Sequence, residues 1–185
     1  MAIAKIKHIF KKYPILANSV VYGTLYTGAE FSQQTYTKKI APATGVPAPY
    51  DLTAMGRYGI LGLGLYPQVY YFWYRWLDGK YVGTATLTIV KKMALDQFVL
   101  TPPLIASFYL FMSIMEQKQD VFEECRNKLL PTFMTSCVFW LPAQGINFLF
   151  IPPAARVVYV GSCAFIWVNV ICWFKRQDYS KTKED

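Results

Sequence analysis

Charged residues leave five long gaps in this chain, and the gaps limit the folds it can adopt. The longest, 129–155, has 27 residues without Asp, Glu, Lys or Arg, and the others are 13–29, 58–74, 97–115 and 157–174. A helix needs about 20 mainly apolar residues to cross the hydrocarbon core of a bilayer, so each gap is close to one span in length. The pattern predicts an all-α integral membrane protein.

Aromatic residues support this interpretation more strongly than hydropathy does. Hydrophobic residues make up 54% of the chain and its mean hydropathy is only +0.23, values that a soluble helical protein could share. Aromatic residues make up 17%, and Tyr and Trp crowd the end of the 58–74 gap. Amphipathic rings form such a belt at the membrane–water interface. A soluble all-α domain is the alternative.

Prolines, glycines and charges between the gaps locate the predicted spans. We expect spans at about 15–36, 52–76, 92–115 and 129–150, with a fifth apolar segment at 157–174. Residues 41–49 include three prolines and cannot continue a helix. Residues 116–128 are the most charged part of the chain and are predicted to be a link outside the membrane. The 185 residues leave room for a single membrane domain, a compact bundle of four or five transmembrane helices.

The distribution of Lys and Arg bears on the number of crossings. With five crossings, nine of these residues lie on the side of the N terminus and ten on the other. If the last two apolar segments together contribute one crossing, the split becomes thirteen to six. Because cytoplasmic loops carry an excess of Lys and Arg, the count favours four crossings with both termini on one side.

The first twelve residues form a basic segment that contains no acid. Ile3, Ile6 and Phe10 share one helical face, and four lysines stand among the apolar residues. Such an amphipathic segment can lie in an interface with its lysines toward anionic headgroups. It also resembles a mitochondrial address, although it lacks the Arg and Ser of such segments. We expect an uncleaved targeting and anchoring helix; a solvated basic tail is the alternative.

Five polar side chains inside the predicted spans are the candidate functional residues. Glu30 and Gln34 lie in the first span, Asp96 in the third, and Gln144 and Asn147 in the fourth. Polar groups at such depth are costly toward lipid and must face protein or water. They are therefore candidates for lining a pore, and the alternative is an interhelical hydrogen-bond network in a non-conducting bundle.

One stripe of the first span links small residues to two of these polar groups. Gly23, Thr27, Glu30 and Gln34 follow helical spacing. We expect close helix contact along its first half and a polar, water-facing patch along its second half. The glycine-rich first half of span 2, at 56–64, is predicted to pack inside the bundle.

The sequence offers little chemistry for catalysis. His8 is the only histidine, and the four cysteines form no CxxC pair, which argues against catalytic triads and zinc sites. Gly62-x-Gly64 lacks the third glycine of a dinucleotide-binding turn. We expect a protein that is not an enzyme, with no cofactor, no metal and no direct nucleic-acid partner.

Four short motifs occur in a fixed order along almost the whole chain. They are Lys12-Tyr13-Pro14 with Gly23, Gly28, Glu30 and Gln33-Gln34; Trp73-Tyr74-x-x-Leu77-Asp78; Lys91-Lys92-Met93-x-x-Asp96-Gln97; and Trp140-x3-Gln144-x2-Asn147-Phe148-x3-Pro152-x3-Arg156. Together they resemble the Mpv-seventeen family, which includes the twenty-two-kilodalton peroxisomal membrane protein. The stretch from Ser107 to Phe122 is most similar to the Mpv-seventeen-like branch. Two departures are Ala29-Glu30, where the family usually has Gly-Asp, and Leu141 between Trp140 and Pro142.

This resemblance implies a four-helix protein of the mitochondrial inner membrane, with the peroxisomal membrane as the alternative. Family members are described as weakly selective channels for small solutes, linked to mitochondrial homeostasis, mitochondrial DNA maintenance and reactive oxygen metabolism. The implied partners are the lipid bilayer and small solutes or ions, and a homo-oligomer stays open. The motif residues Trp140, Phe148, Pro152 and Arg156 are carried over as family positions. The alternative function is a membrane scaffold that recruits a partner through 116–128.

Overall fold

Helices account for most of the residues that the computed structural model describes, which are 12–40, 46–83, 85–150 and 156–176. The chain divides into two compact units, Met1–Val82 and Gly83–Asp185. The helices are α1 Pro14–Thr35 and α2 Leu52–Lys80 in the first unit, and α3 Thr86–Leu95, α4 Thr101–Met115, α5 Glu123–Leu149 and α6 Arg156–Arg176 in the second.

The first unit is an antiparallel helical hairpin whose ends follow from local sequence. Pro14 begins α1, where its missing N–H group costs no helical hydrogen bond. A π-helical turn, Tyr36–Ile40, follows α1. Asp51 is the N-cap of α2, because its side chain accepts a hydrogen bond from the Ala54 N–H at 2.9 Å. The Asp51 cap satisfies a backbone N–H group where the chain reverses between the two helices.

Glycines allow α1 and α2 to approach closely. A Cβ atom built on Gly62 would lie 2.6 Å from the Tyr22 carbonyl oxygen, and one on Gly59 would lie 3.0 Å from Thr27 Oγ1. By contrast, a Cβ on Gly64 would meet nothing within 4 Å. The expected close contact along the first half of the α1 stripe is confirmed, and two of the α2 glycines provide it.

In the second unit, a π-helical turn at Asp96–Leu100 joins α3 to α4 as one helix, Thr86–Met115. The Thr101 N–H group and the Thr101 hydroxyl, at 2.9 Å, both donate to the Asp96 carbonyl oxygen. Pro102 and Pro103 follow at once and have no N–H group to donate. The π turn therefore stands where the prolines interrupt the helical hydrogen-bond ladder.

α5 contacts both α4 and α6 in the second unit, and α5 and α6 form an antiparallel hairpin. Near one end of the pair, the Lys128 ammonium group donates to the Lys175 carbonyl oxygen at 2.7 Å. Further along, Phe139 stacks on Trp167 with ring centroids 5.8 Å apart. The two helices therefore lie side by side from Lys128 to at least Phe139.

Two helices in the described part of the chain are long and apolar enough to cross a membrane by length and composition. They are the joined helix Thr86–Met115 and the part of α5 from Glu123 to Asn147. The first six residues of α5, 123–128, belong to the charged segment that the sequence predicted as a link. The connection between α4 and α5 is therefore 116–122.

Candidate functional site

The buried face of α5 is polar, and its exposed face is apolar. Glu124, Lys128, Thr132 and Ser136 follow one another at four-residue spacing, and all are less than 9% exposed. On the opposite side, the exposed positions are filled by large apolar residues: Leu130 at 62%, Met134 at 55% and Val138 at 76%. A soluble helix has the reverse arrangement. Lipid is the solvent that suits the exposed face of α5.

Direct hydrogen bonds satisfy the middle of this polar stripe. Gln97 lies in the π-helical turn, where its Nε2 donates to Ser136 Oγ at 2.6 Å. The hydroxyl groups of Tyr109 and Thr132 are 2.7 Å apart. Tyr109, Thr132 and Ser136 are all 0% exposed. Along this stretch, α5 is held to the joined helix α3–α4 by polar side chains that are closed off from solvent.

Six residues at one end of the second unit form a charged group, which we name the Glu124 cluster. Its members are Ser113, Glu116, Lys118, Glu124, Lys128 and Lys175. Glu124 Oε1 accepts from Lys128 at 2.9 Å and from Lys118 at 3.0 Å. Glu124 Oε2 accepts from Lys175 at 2.5 Å and from Ser113 at 3.2 Å. One carboxylate thus receives donors from α4, the link, α5 and α6.

Charge interactions also order the link between α4 and α5. Burial is the largest single effect on Lys118 and works against its charged form, but the hydrogen bonds and charge attraction of Glu124 and Glu116 together outweigh burial and raise the pKa of the ammonium group. Arg126 forms an ion pair with Asp120. The hydrogen bond that Arg126 donates in this ion pair lowers the pKa of the exposed Asp120 carboxyl group.

In the first unit, Glu30 and Gln34 form a buried clamp at the turn between α1 and α2. Gln34 Nε2 donates to Glu30 Oε1 and to the Asp51 carbonyl oxygen, both at 2.9 Å, and Gln34 Oε1 accepts from the Asp51 N–H at 2.6 Å. Glu30 and Gln34 are each 1% exposed. The expectation of a water-facing patch here was wrong, because Gln34 uses its amide to bind the backbone that enters α2.

The polar pair near the end of α5 is less completely satisfied. Asn147 Nδ2 donates to Gln144 Oε1 at 3.3 Å. Asn147 is 4% exposed, and among the described residues no donor reaches its Oδ1 atom. Trp140 packs edge-on against Trp167 of α6, with centroids 6.5 Å apart. This end of the α5–α6 pair therefore combines aromatic packing with an amide that keeps unused hydrogen-bonding capacity.

The predicted site residues divide between the two units. Glu30 and Gln34 lie together in the first; in the second, Gln144 and Asn147 lie together, and Asp96 stands half-buried in the π-helical turn. The Phe148 side chain, Pro152 and the Arg156 side chain lie outside the described residues. Lining of a pore by these residues stays a prediction.

Sequence reasoning missed the polar groups that hold the second unit together: Gln97, Thr132, Ser136 and the Glu124 cluster. The signal was available in α5, where residues 124, 128, 132 and 136 are polar at four-residue spacing.

Within the described ranges, no group of three or more His, Cys, Asp or Glu side chains is placed to hold a metal ion.

Helices with apolar outer faces and hydrogen-bonded polar inner faces define a helical membrane protein. The Mpv17 / PMP22 family profile matches residues 113–172, which include all of α5 and most of α6. The chain is 32% identical over 171 residues to the Mpv17-like protein of Xenopus laevis, covering 92% of this chain and 81% of the relative. The chain therefore belongs to the Mpv17 / PMP22 family, and to its Mpv17-like branch.

Two further relatives from Bos taurus extend this comparison. The bovine Mpv17-like protein is 29% identical over 166 residues, which cover 90% of this chain and 80% of the relative. The bovine peroxisomal membrane protein 2 is 23% identical over 168 residues, which cover 90% and 85%. No solved structure matches the chain.

Proposed function

We propose that this chain is a multi-pass protein of an organelle membrane, and that the organelle is the mitochondrion. Family membership and the apolar outer face of α5 support the membrane assignment. The basic, acid-free residues 1–12 support the mitochondrial inner membrane. The relative named peroxisomal membrane protein 2 supports the peroxisome as the alternative. Deleting residues 1–12 should mislocalise the protein, and unchanged targeting would refute an N-terminal address.

For the polar interior, we propose that the buried polar side chains of each unit hold its helices together and do not line a conducting path. The observation that supports this function best is the mutual hydrogen bonding of fully buried groups, such as Tyr109 with Thr132 and Gln34 with Glu30. A water path would leave such groups exposed along it. The protein would then act as a membrane scaffold, and the charged segment 116–128 would recruit its partner. No catalytic role is part of this proposal.

A small-solute channel is the second candidate, and Asn147 is the observation that favours it. Its buried Oδ1 atom keeps unused hydrogen-bonding capacity among the described residues, which a permeating solute or water could use. The family resemblance to weakly selective channels, with its links to mitochondrial homeostasis, reactive oxygen metabolism and mitochondrial DNA maintenance, supports the same candidate.

Conductance of the purified full chain in a planar bilayer separates the two functions. The scaffold predicts no conductance above that of the empty bilayer. The channel predicts conductance that Asn147→Leu reduces. Ser162→Ala is the matched control, because Ser162 is an exposed polar residue of α6 in the same unit. Conductance that Asn147→Leu lowers and the control preserves would refute the scaffold.

For the number of spans, we propose that α5 and α6 cross the membrane as a pair, giving five crossings. Their antiparallel packing supports this, because α6 follows α5 back toward the end where α5 begins. With five crossings, Lys and Arg are divided nine to ten between the two sides, so the excess that favours four crossings is absent. In sealed proteoliposomes, an impermeant maleimide should label Gln119→Cys and Arg176→Cys from one side and Phe150→Cys from the other. Labelling of positions 150 and 176 from the same side would mean four crossings.

A further inference from the structure

The Glu124 cluster is unusual for its burial and for the number of elements it joins. The side chains of Lys128, Glu124 and Lys175 are 7%, 8% and 8% exposed, although each carries a charge. Lys118 is more open, at 35%. Buried charges are costly unless each finds a partner, so an arrangement of this kind holds its members in place only as long as it is complete.

Glu124 is the member on which the others converge. Its two oxygen atoms receive three ammonium groups and one hydroxyl group, whereas Glu116 accepts from Lys175 at 2.7 Å and lies 3.6 Å from Lys118. Loss of the Glu124 charge would leave three lysines facing one remaining carboxylate. Like charges at such distances repel, and the buried lysines would move toward water.

The geometry also ties the end of α6 to the cluster in a second way. Lys128 Nζ bonds both Glu124 and the Lys175 carbonyl oxygen, at 2.9 Å and 2.7 Å. That carbonyl lies in the last turn of α6, where the helix leaves acceptors unsatisfied and carries a partial negative charge. Lys128 therefore caps α6 while it pairs with Glu124.

We propose that the Glu124 cluster is an ionic latch that fastens the C-terminal end of α6 to the 116–122 link, so that the link and the end of α6 open and close together. Ser113 belongs to the end of α4, and Glu116 and Lys118 belong to the link. Glu124 connects the end of α4 and the link to Lys175 of α6. The latch goes beyond the proposed scaffold or channel function, since either function could operate with it.

The test compares Glu124→Gln with Glu123→Gln in the full chain reconstituted into proteoliposomes. Glu123 precedes Glu124 in the first turn of α5 but is exposed, so it controls for the loss of one negative charge at this helix end. Two opening events are measured: trypsin cleavage after Lys118, and maleimide labelling of the native Cys172, which is 0% exposed near the end of α6 and is read separately from the other cysteines by mass spectrometry. Both should rise together by about ten-fold or more in Glu124→Gln, since loss of a buried ion-pair partner favours local opening.

A second variant keeps the proposal testable if Glu124→Gln does not fold. Lys175→Met removes the charge that α6 contributes to the Glu124 cluster. Glu124 keeps Lys118 and Lys128 as partners. In the latch, it should raise labelling of Cys172 and cleavage after Lys118, although Lys118 does not contact Lys175 directly. A rise in Cys172 labelling alone, or equal behaviour of the Glu124→Gln and Glu123→Gln variants, would overturn the latch. Both outcomes can be read whether or not the protein conducts.

Discussion

The two units solve the same packing problem by different means. In the first, α1 and α2 meet through glycines and stacked tyrosines: Gly62 lies against the Tyr22 backbone, and Tyr26 stacks on Tyr66 with centroids 5.0 Å apart. In the second, α5 meets its neighbours through polar pairs such as Gln97 with Ser136 and Glu124 with Lys175. The first unit depends on close backbone approach, and the second on hydrogen bonds between side chains.

The difference is instructive because lipid removes the usual reason for helices to associate. Lipid tails are as apolar as leucine side chains, so helices in a membrane gain little by burying apolar surface against each other. Small residues and polar pairs are the two remaining sources of specific contact. Each unit relies mainly on one of them, so substitutions can separate their contributions.

The largest effect is expected where the first unit has no free space. In Gly62→Ala, the new methyl group would lie 2.6 Å from the Tyr22 carbonyl oxygen, and the helices would have to separate. We expect a loss of about 2–3 kcal/mol in the free energy of unfolding. Thermal unfolding in detergent measures it. Gly64→Ala is the control, since its Cβ has open space, and equal stability of the two variants would contradict glycine packing.

An intermediate effect is expected at the clamp formed by Glu30 and Gln34 in the first unit. Gln34→Ala removes three hydrogen bonds, two of them to the Asp51 backbone, and should cost about 1–2 kcal/mol. Detergent stability measures the loss, and hydrogen exchange of the Asp51 N–H should accelerate. Thr24→Ala is the matched control, because that exposed hydroxyl bonds only within its own helix in the first unit. A loss no greater than that of the control would show that the tyrosines and glycines suffice.

A smaller effect is expected for one polar pair of the second unit. Tyr109→Phe and Thr132→Val each remove one hydroxyl group of the buried 2.7 Å pair. The coupling energy from a double-mutant cycle should be about 0.6 kcal/mol, the average for hydrogen bonds between membrane helices. Unfolding in detergent of both single variants and the double variant provides the cycle. Strict additivity would mean that the second unit does not depend on this pair.

The smallest effect is expected from Glu30→Gln. The substitution keeps size and hydrogen bonding, and Glu30 is 1% exposed and accepts from Gln34. If conductance is observed, its cation preference should therefore stay unchanged. Reversal potentials in a salt gradient, measured beside detergent stability, provide the test. A fall in cation preference in a well-folded variant would return Glu30 to the wall of a water-filled path.

Part of the site could be predicted because helical spacing is visible in the sequence. The stripe from Gly23 through Thr27 correctly indicated the contact face of α1, since residues three and four apart share a face. The role of Gln34 could not be predicted in this way. Its partner is the backbone of Asp51, seventeen residues away across a turn, and a side chain that bonds backbone leaves no complementary residue type to recognise.

The sequence by itself determined that the chain is helical, where charge-free segments lie and which family it belongs to. These properties follow from local composition, periodicity and ordered motifs. Only the tertiary structure decided which polar groups meet. Glu116, Glu124 and Lys175 are separated by up to 59 positions, yet they share hydrogen bonds of 2.5–2.7 Å because α4, α5 and α6 bring their ends together. Periodicity assigns a residue to a face of its helix. The packing of the helices decides which residues of a neighbouring helix lie against that face.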